Sequence, residues 1–167
     1  MSELLTLHAN PLTREAFAPY GDVIEMQGHE PAPMNQGWGE RYADLARVDV
    51  ADADGEPRIC IVRSLPESIP VPLRLIERHP LGSQIFMPLA PQPFLVVVGP
   101  AGEVPAREQL EAFVSTGGQG VNYHKGVWHH PMIALDAVTD FITIDRKGPG
   151  DNCDEADIPG GGVQVRV

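Results

Sequence analysis

Short apolar runs alternate with turn residues along most of the chain. TREAFAPYG, residues 13–21, predicts a short helix, with Thr13 as its N-cap and Gly21 past its end. DVIEM (22–26) predicts a strand, and the Gly- and Pro-rich segment 27–39 a loop. ARVDV (46–50) and RICIVRS (58–64) predict strands joined by ADADGEP, a hairpin turn with Asp-Gly at its tip. LRLIERH (73–79), IFMPL (85–89), FLVVVG (94–99) and VTDFITIDR (138–146) add further strands. In AREQLEAFV (106–114), Leu110, Phe113 and Val114 recur at helical spacing and predict a second helix. From about residue 147 the chain turns acidic and Gly-rich, which predicts an irregular tail lying over a neighbouring subunit. Eight or more strands with two short helices, over 1–167 as one domain, predict an all-β barrel or sandwich.

Strand alternation singles out certain polar residues. In 73–79, Leu73, Leu75, Glu77 and His79 share one face, opposite Arg74, Ile76 and Arg78. If the leucines face the core, Glu77 and His79 point inward, and a buried carboxylate needs a partner or a cation. Gln84, two residues before Phe86, faces inside on the next strand. The alternative is a slipped phase, with Glu77 paired to Arg78 or Arg74 at the surface. In NYHKGVWHHP (122–131), Gly126 permits a turn, Val127 carries His129 inward, and Trp128 and His130 face outward, towards a neighbouring subunit. A lone inward histidine is more often a hydrogen-bonded core residue than a ligand; Glu77 and His79 beside it favour a functional site. Tyr123 and His124 fall near the rim. In VTDFITIDR, Asp140 lies on the aliphatic face, either accepting a bond from a histidine N–H or bonded to backbone.

Composition narrows the classes of function. A net charge of −11 repels nucleic acid and anionic membranes, and an anion site would need local Arg or Lys. No run approaches the ~18 apolar residues of a membrane span, and MSELLTLHAN lacks the basic region of a signal peptide, so the expected compartment is the cytoplasm. Of two cysteines, Cys60 sits in an apolar run and Cys153 among carboxylates that raise its pKa; neither a disulfide nor a zinc-thiolate site is expected.

Several long motifs in series, ERHPLGSQIFMPL, GQGVNYHKGVWHHP, VTDFITIDR and DNCD, together with REAFAPYGDVIE and RYADLA, resemble the ureidoglycolate lyase family of allantoin degradation, historically called ureidoglycolate hydrolase. The resemblance runs from about residue 5 to 159. It implies a cupin-like barrel (a double-stranded β-helix or jelly roll), a homodimer, and cleavage of (S)-ureidoglycolate into glyoxylate and urea in purine catabolism. The wider cupin superfamily carries H-x-H-x4-E and P-x-G-x2-H. Glu77, His79 and Gln84 stand at the spacing of the first, and Gly126 and His129 at that of the second. Glu77 replaces a histidine and Gln84 a glutamate. Two imidazoles and one carboxylate (Glu77, His79, His129) suit a loosely held divalent metal, nickel by family resemblance, or acid–base catalysis without one.

The implied substrate is a carbinolamine, whose breakdown needs a base at the hydroxyl and an acid at the departing nitrogen. His79, His129 and Glu77 are the candidates for that centre, and Gln84 would bond the ureido amide. Arg63, Lys125 and Arg146 are candidates for the substrate carboxylate, with Tyr123 and Asp140 nearby. Two rival readings stand beside this one: a metal-dependent cupin oxygenase or isomerase acting on a small acid, and a non-catalytic glyoxylate-binding module.

Overall fold

The short apolar runs form short strands. The computed structural model describes residues 3–167. In chain order the strands are β1 (Leu5–His8), β2 (Asn10–Pro11), β3 (Gly21–Ile24), β4 (Ala32–Met34), β5 (Gly39–Arg41) and β6 (Glu56–Ser64). Then follow β7 (Val71–Leu73), β8 (Leu75–Arg78), β9 (Gln84–Pro88), β10 (Phe94–Gly99), β11 (Glu111–Val114) and β12 (Gly120–Tyr123). The last are β13 (Trp128–His129), β14 (Ile133–Ala134), β15 (Thr139–Lys147), β16 (Asp154–Asp157) and β17 (Val163–Arg166). The helix α1 (Arg14–Phe17) is capped as expected, with Thr13 Oγ1 accepting from the Ala16 N–H. Gly21 lies past the helix end, as expected, and begins β3; a Cβ there would lie 1.9 Å from the Asn122 carbonyl oxygen.

Three sheets stack in layers. A five-stranded sheet, ordered β3-β12-β9-β15-β6, faces a larger one ordered β16-β8-β13-β10-β11-β2, with β14 also paired to β10. The aromatic-rich core between them holds Phe17, Phe86, Phe94, Phe113, Tyr123 and Phe141. The other side of the larger sheet is covered by a three-stranded sheet, β1-β17-β7. A second core fills that gap, with Leu73, Ile76, Leu95, Val97, Trp128 and Val165. The larger sheet is therefore apolar on both faces. Along β10, Val96 and Val98 enter the first core while Leu95 and Val97 enter the second, so all six residues from Phe94 to Gly99 are buried. This is a mainly-β, cupin-like architecture.

Burial on both faces accounts for the element that the apolar spacing misassigns. Residues 106–114 are a 3-10 turn, Arg107–Gln109, followed by β11, not a helix. Phe113 enters the first core and Ala112 the second, so adjacent apolar residues imitate a helical period. The tail likewise has regular structure. β16 extends the larger sheet beside β8, and β17 lies between β1 and β7 in the covering sheet. Segment 46–50 forms no strand; it is an ordered loop tied to Ser83 by Asp49 N–H to Ser83 Oγ and Ser83 N–H to the Asp49 carbonyl. The expected hairpin therefore does not form, and a 3-10 turn at Asp52–Asp54 leads into β6.

Two strand phases also differ from alternation. Leu73 and Ile76 both enter the second core, so the chain breaks phase at Arg74, between β7 and β8. Leu75 and Glu77 line one cavity, and the exposed Arg74 lines it with them instead of following Ile76. In the first half of β15 the buried residues are Thr139, Phe141 and Thr143, which leaves Asp140 on the outer face.

Candidate active site

Five of the residues singled out by sequence converge at one end of the barrel. His129 on β13 stands directly opposite Glu77 on β8. His79 lies two residues beyond Glu77 on the same side. From the facing sheet, Gln84 opens β9 and pairs in register with Tyr123, which closes β12. Gly126, at φ +78, turns the chain between β12 and β13, and its N–H donates to the His79 carbonyl at 2.9 Å. The turn thus ties the two histidine segments together.

Glu77 is the centre of the cluster. Its Oε1 lies 3.4 Å from His129 Nε2 and 4.0 Å from His79 Nε2. Tyr123 stacks on the His129 ring with centroids 4.1 Å apart and planes 7° from parallel. Each imidazole is oriented by a carbonyl: Nδ1–H of His129 donates to Val127 O at 3.0 Å, and Nδ1–H of His79 to Asn152 O at 2.7 Å. With Nδ1 carrying the proton, a neutral ring presents its Nε2 lone pair to Glu77. Two lone pairs and a carboxylate facing one another call for a cation among them, either a proton on one imidazole or a metal ion.

Charge and burial agree with that geometry. The His129 imidazole holds the Glu77 carboxyl below the usual carboxylate range, against the upward push of burial, and the charges of His79 and His130 act with it. Burial, and then the Glu77 charge, keep the Tyr123 phenol protonated far above its ordinary range. Among the described residues, five buried side-chain polar atoms lack a hydrogen-bond partner. Four belong here: His79 Nε2, Gln84 Oε1, Tyr123 Oη and His129 Nε2. Each such atom costs about 1–3 kcal/mol if nothing meets it. Such a concentration marks a site shaped for a ligand rather than for its own stability.

A cavity of about 510 Å³ adjoins this cluster through Glu77 and Gln84, while His79, His129 and Tyr123 stand behind its lining; its volume is within the roughly 300–1,000 Å³ range of small-molecule sites. Arg63, Arg74, Glu77, Gln84, Phe86 and His130 are among its lining residues. His130 was expected to face outward with Trp128. It lines the cavity instead, because β13 ends at His129 and Pro131 follows. Burial lowers its pKa, opposed by the Pro131 carbonyl and the Glu77 charge. Trp128 is buried in the second core of its own chain, its Nε1–H donating to Gly102 O and the Arg78 guanidinium lying 4.8 Å over its ring.

The other candidates are held by partners of their own. Asp140 forms a two-bond ion pair with Arg63 at 2.8 and 2.9 Å, on the outer face, and does not reach the histidines. Lys125 binds Asp52 at 2.7 Å and Asp49 at 3.3 Å and does not line the cavity. Arg146 is buried, donating to the carbonyls of Asp52, Ala53 and Pro149, where it clasps the loop before β6. Arg63 is at the cavity rim, but Asp140 occupies its Nε and Nη2.

Glu77, His79 and His129 bring one ligand atom each within 4.8 Å of one another. The donor set and its orphaned Nε2 atoms fit a divalent metal. Cys153 and Glu155 form a second group with Glu77 at the edge of the site. Burial, and then the charges of Glu77, Glu155 and Asp154, push the Cys153 thiol up, as its acidic setting predicts.

The fold is mainly β and cupin-like, and it sets two histidines and a carboxylate beside a cavity of small-molecule size. Residues 4–165 match the family model described as ureidoglycolate lyase, and the chain belongs to that family. It is similar to the ureidoglycolate lyase of Burkholderia mallei, 53% identical over 154 residues, covering 92% of this chain and 90% of that protein. The Burkholderia cepacia ureidoglycolate lyase is 51% identical over 156 residues, 93% of this chain and 88% of that one. That of Pseudomonas entomophila is 48% identical over 154 residues, 92% of each chain.

Proposed function

We propose that the protein cleaves ureidoglycolate into glyoxylate and urea by elimination at the Glu77–His79–His129 centre. The observation that carries this reading is the convergence of four unpartnered buried polar atoms around Glu77, in a chain of the ureidoglycolate lyase family. The substrate carbon bears a hydroxyl, a ureido nitrogen and a carboxylate. One histidine Nε2 takes the hydroxyl proton, the C–O bond becomes a carbonyl, and the C–N pair moves onto nitrogen. The other histidine gives that nitrogen a proton, and urea leaves. Glu77 favours one imidazolium beside it, so the two rings divide naturally into acid and base. Each well-placed group contributes about 10²–10⁴-fold. Gln84 and Tyr123 hydrogen-bond the ureido group, and Arg63 stands at the rim.

The same three residues would hold a divalent metal, nickel being the ion that family resemblance favours. A bound ion supplies Lewis acidity towards the substrate hydroxyl. The protein works as a homodimer. β6 supports this: it is an edge strand whose Ile59 and Ile61 are 73% and 66% exposed, a pattern of exposed apolar edge that usually needs cover. Among the described residues, no helix is long and apolar enough to cross a membrane. The protein works in the cytoplasm, in the breakdown of allantoin.

The test is to incubate the purified protein with racemic ureidoglycolate and follow glyoxylate and urea, before and after chelation and metal return. Release no faster than the spontaneous rate in every state would sink the lyase reading.

A further inference from the structure

We infer that Arg74 is the residue that takes the substrate carboxylate, an inference that rests on the lyase reading above. Ureidoglycolate is an anion entering a chain of net charge −11, and Glu67 and Glu77 also line the cavity. A cation must offset that field within reach of the reacting carbon. Two residues with permanent positive charge line the cavity, Arg63 and Arg74. Arg63 already makes two charge-assisted bonds to Asp140, and a substrate there would compete with them. Arg74 makes no hydrogen bond or ion pair with any described residue, so its guanidinium is free to form a two-pronged bond to a carboxylate. Arg78, the next arginine on this segment, is committed to Asp154, Gly102 and the Trp128 ring.

The break in strand phase provides the position. Leu73 and Ile76 both turn into the second core, and Arg74 is carried over the cavity with Leu75 and Glu77. Arg74 and Glu77 are three positions apart, so their Cα atoms are at most about 10 Å from one another along an extended chain. A long side chain can cover much of that span. In the substrate the carboxylate is bonded to the same carbon as the reacting hydroxyl. An arginine holding the carboxylate from the rim therefore aims the hydroxyl and ureido nitrogen at the histidines.

The experiment compares Arg74→Gln, Arg74→Lys and Arg63→Gln in the full-length protein, with steady-state turnover of ureidoglycolate and titration of glyoxylate by calorimetry. Thermal unfolding checks each variant; Arg74 is exposed, and its replacement should leave the fold intact. Arg74→Gln should raise KM, and the glyoxylate Kd with it, by about 10- to 100-fold, with kcat changed much less. Arg74→Lys should recover part of the loss, and Arg63→Gln should have the smaller effect. Unchanged KM and glyoxylate Kd in Arg74→Gln, or a larger loss in Arg63→Gln, would overturn the assignment. The glyoxylate titration separates the two hypotheses. A wild-type protein that releases no urea but binds glyoxylate through Arg74 refutes the lyase reading alone.

Discussion

Replacing Tyr123 with phenylalanine should make the protein more stable and less active. The ring is buried and stacks on His129, with Phe17 and Phe86 at centroid distances of 6.2 and 6.1 Å. Phenylalanine keeps all of those contacts. What is lost is one hydroxyl that has no hydrogen-bond partner among the described residues. An unmet buried hydroxyl costs about 1–3 kcal/mol, so its removal should stabilise the fold by that amount. In a chain of this size, each kcal/mol moves Tm by roughly 2–4 °C, which gives a rise of about 2–12 °C. If the hydroxyl meets the ureido group of the substrate, one neutral hydrogen bond of about 0.5–1.5 kcal/mol disappears from the complex. That corresponds to a fall of about 2- to 12-fold in kcat/KM. Scanning calorimetry measures the first change and glyoxylate release the second. A variant with lowered Tm and unchanged kcat/KM would refute the reasoning, because the hydroxyl would then be serving the fold and not the ligand.

Three further outcomes are expected. His129→Ala and His79→Ala should each reduce kcat by about 10²–10⁴-fold while far-UV circular dichroism stays unchanged; full turnover in either variant would remove that residue from the acid–base pair. Trp128→Ala, which empties part of the second core, should cost about 3–5 kcal/mol in urea unfolding, a loss of packing within one chain. The third concerns Tyr20, whose hydroxyl donates to Glu111 at 2.9 Å and whose pKa is raised from 10.0 to about 12, by burial first and then by Glu111. Above pH 10 the unfolded chain loses this proton while the folded one keeps it, so the contribution of Tyr20 is complete below pH 10 and fades as pH rises through about 12. Urea midpoints measured across that range should fall less steeply in Tyr20→Phe.

The sequence by itself determined the β character and the identity of the central cluster. Period-two patterning in 75–79, the turn-forming Gly126, and the spacing of Glu77, His79, Gln84 and His129 are local properties, and the folded chain retains them. Residues outside strict alternation were a different matter. FLVVVG, AREQLEAFV and the Leu73–Ile76 break look as they do because the larger sheet is covered on both sides, and no local window records a second layer. Val163 and Val165 in the tail form a strand because β1 and β7 flank them from distant parts of the chain. The partners of the cations were likewise set in three dimensions. Arg63, Lys125 and Arg146 look alike in sequence, yet Asp140, the Asp49–Asp52 loop and a set of carbonyls occupy them in turn. Strand pairing, which joins Leu5 to Val163 and His8 to Arg166, decided which charges were neutralised and which faced the cavity unpaired.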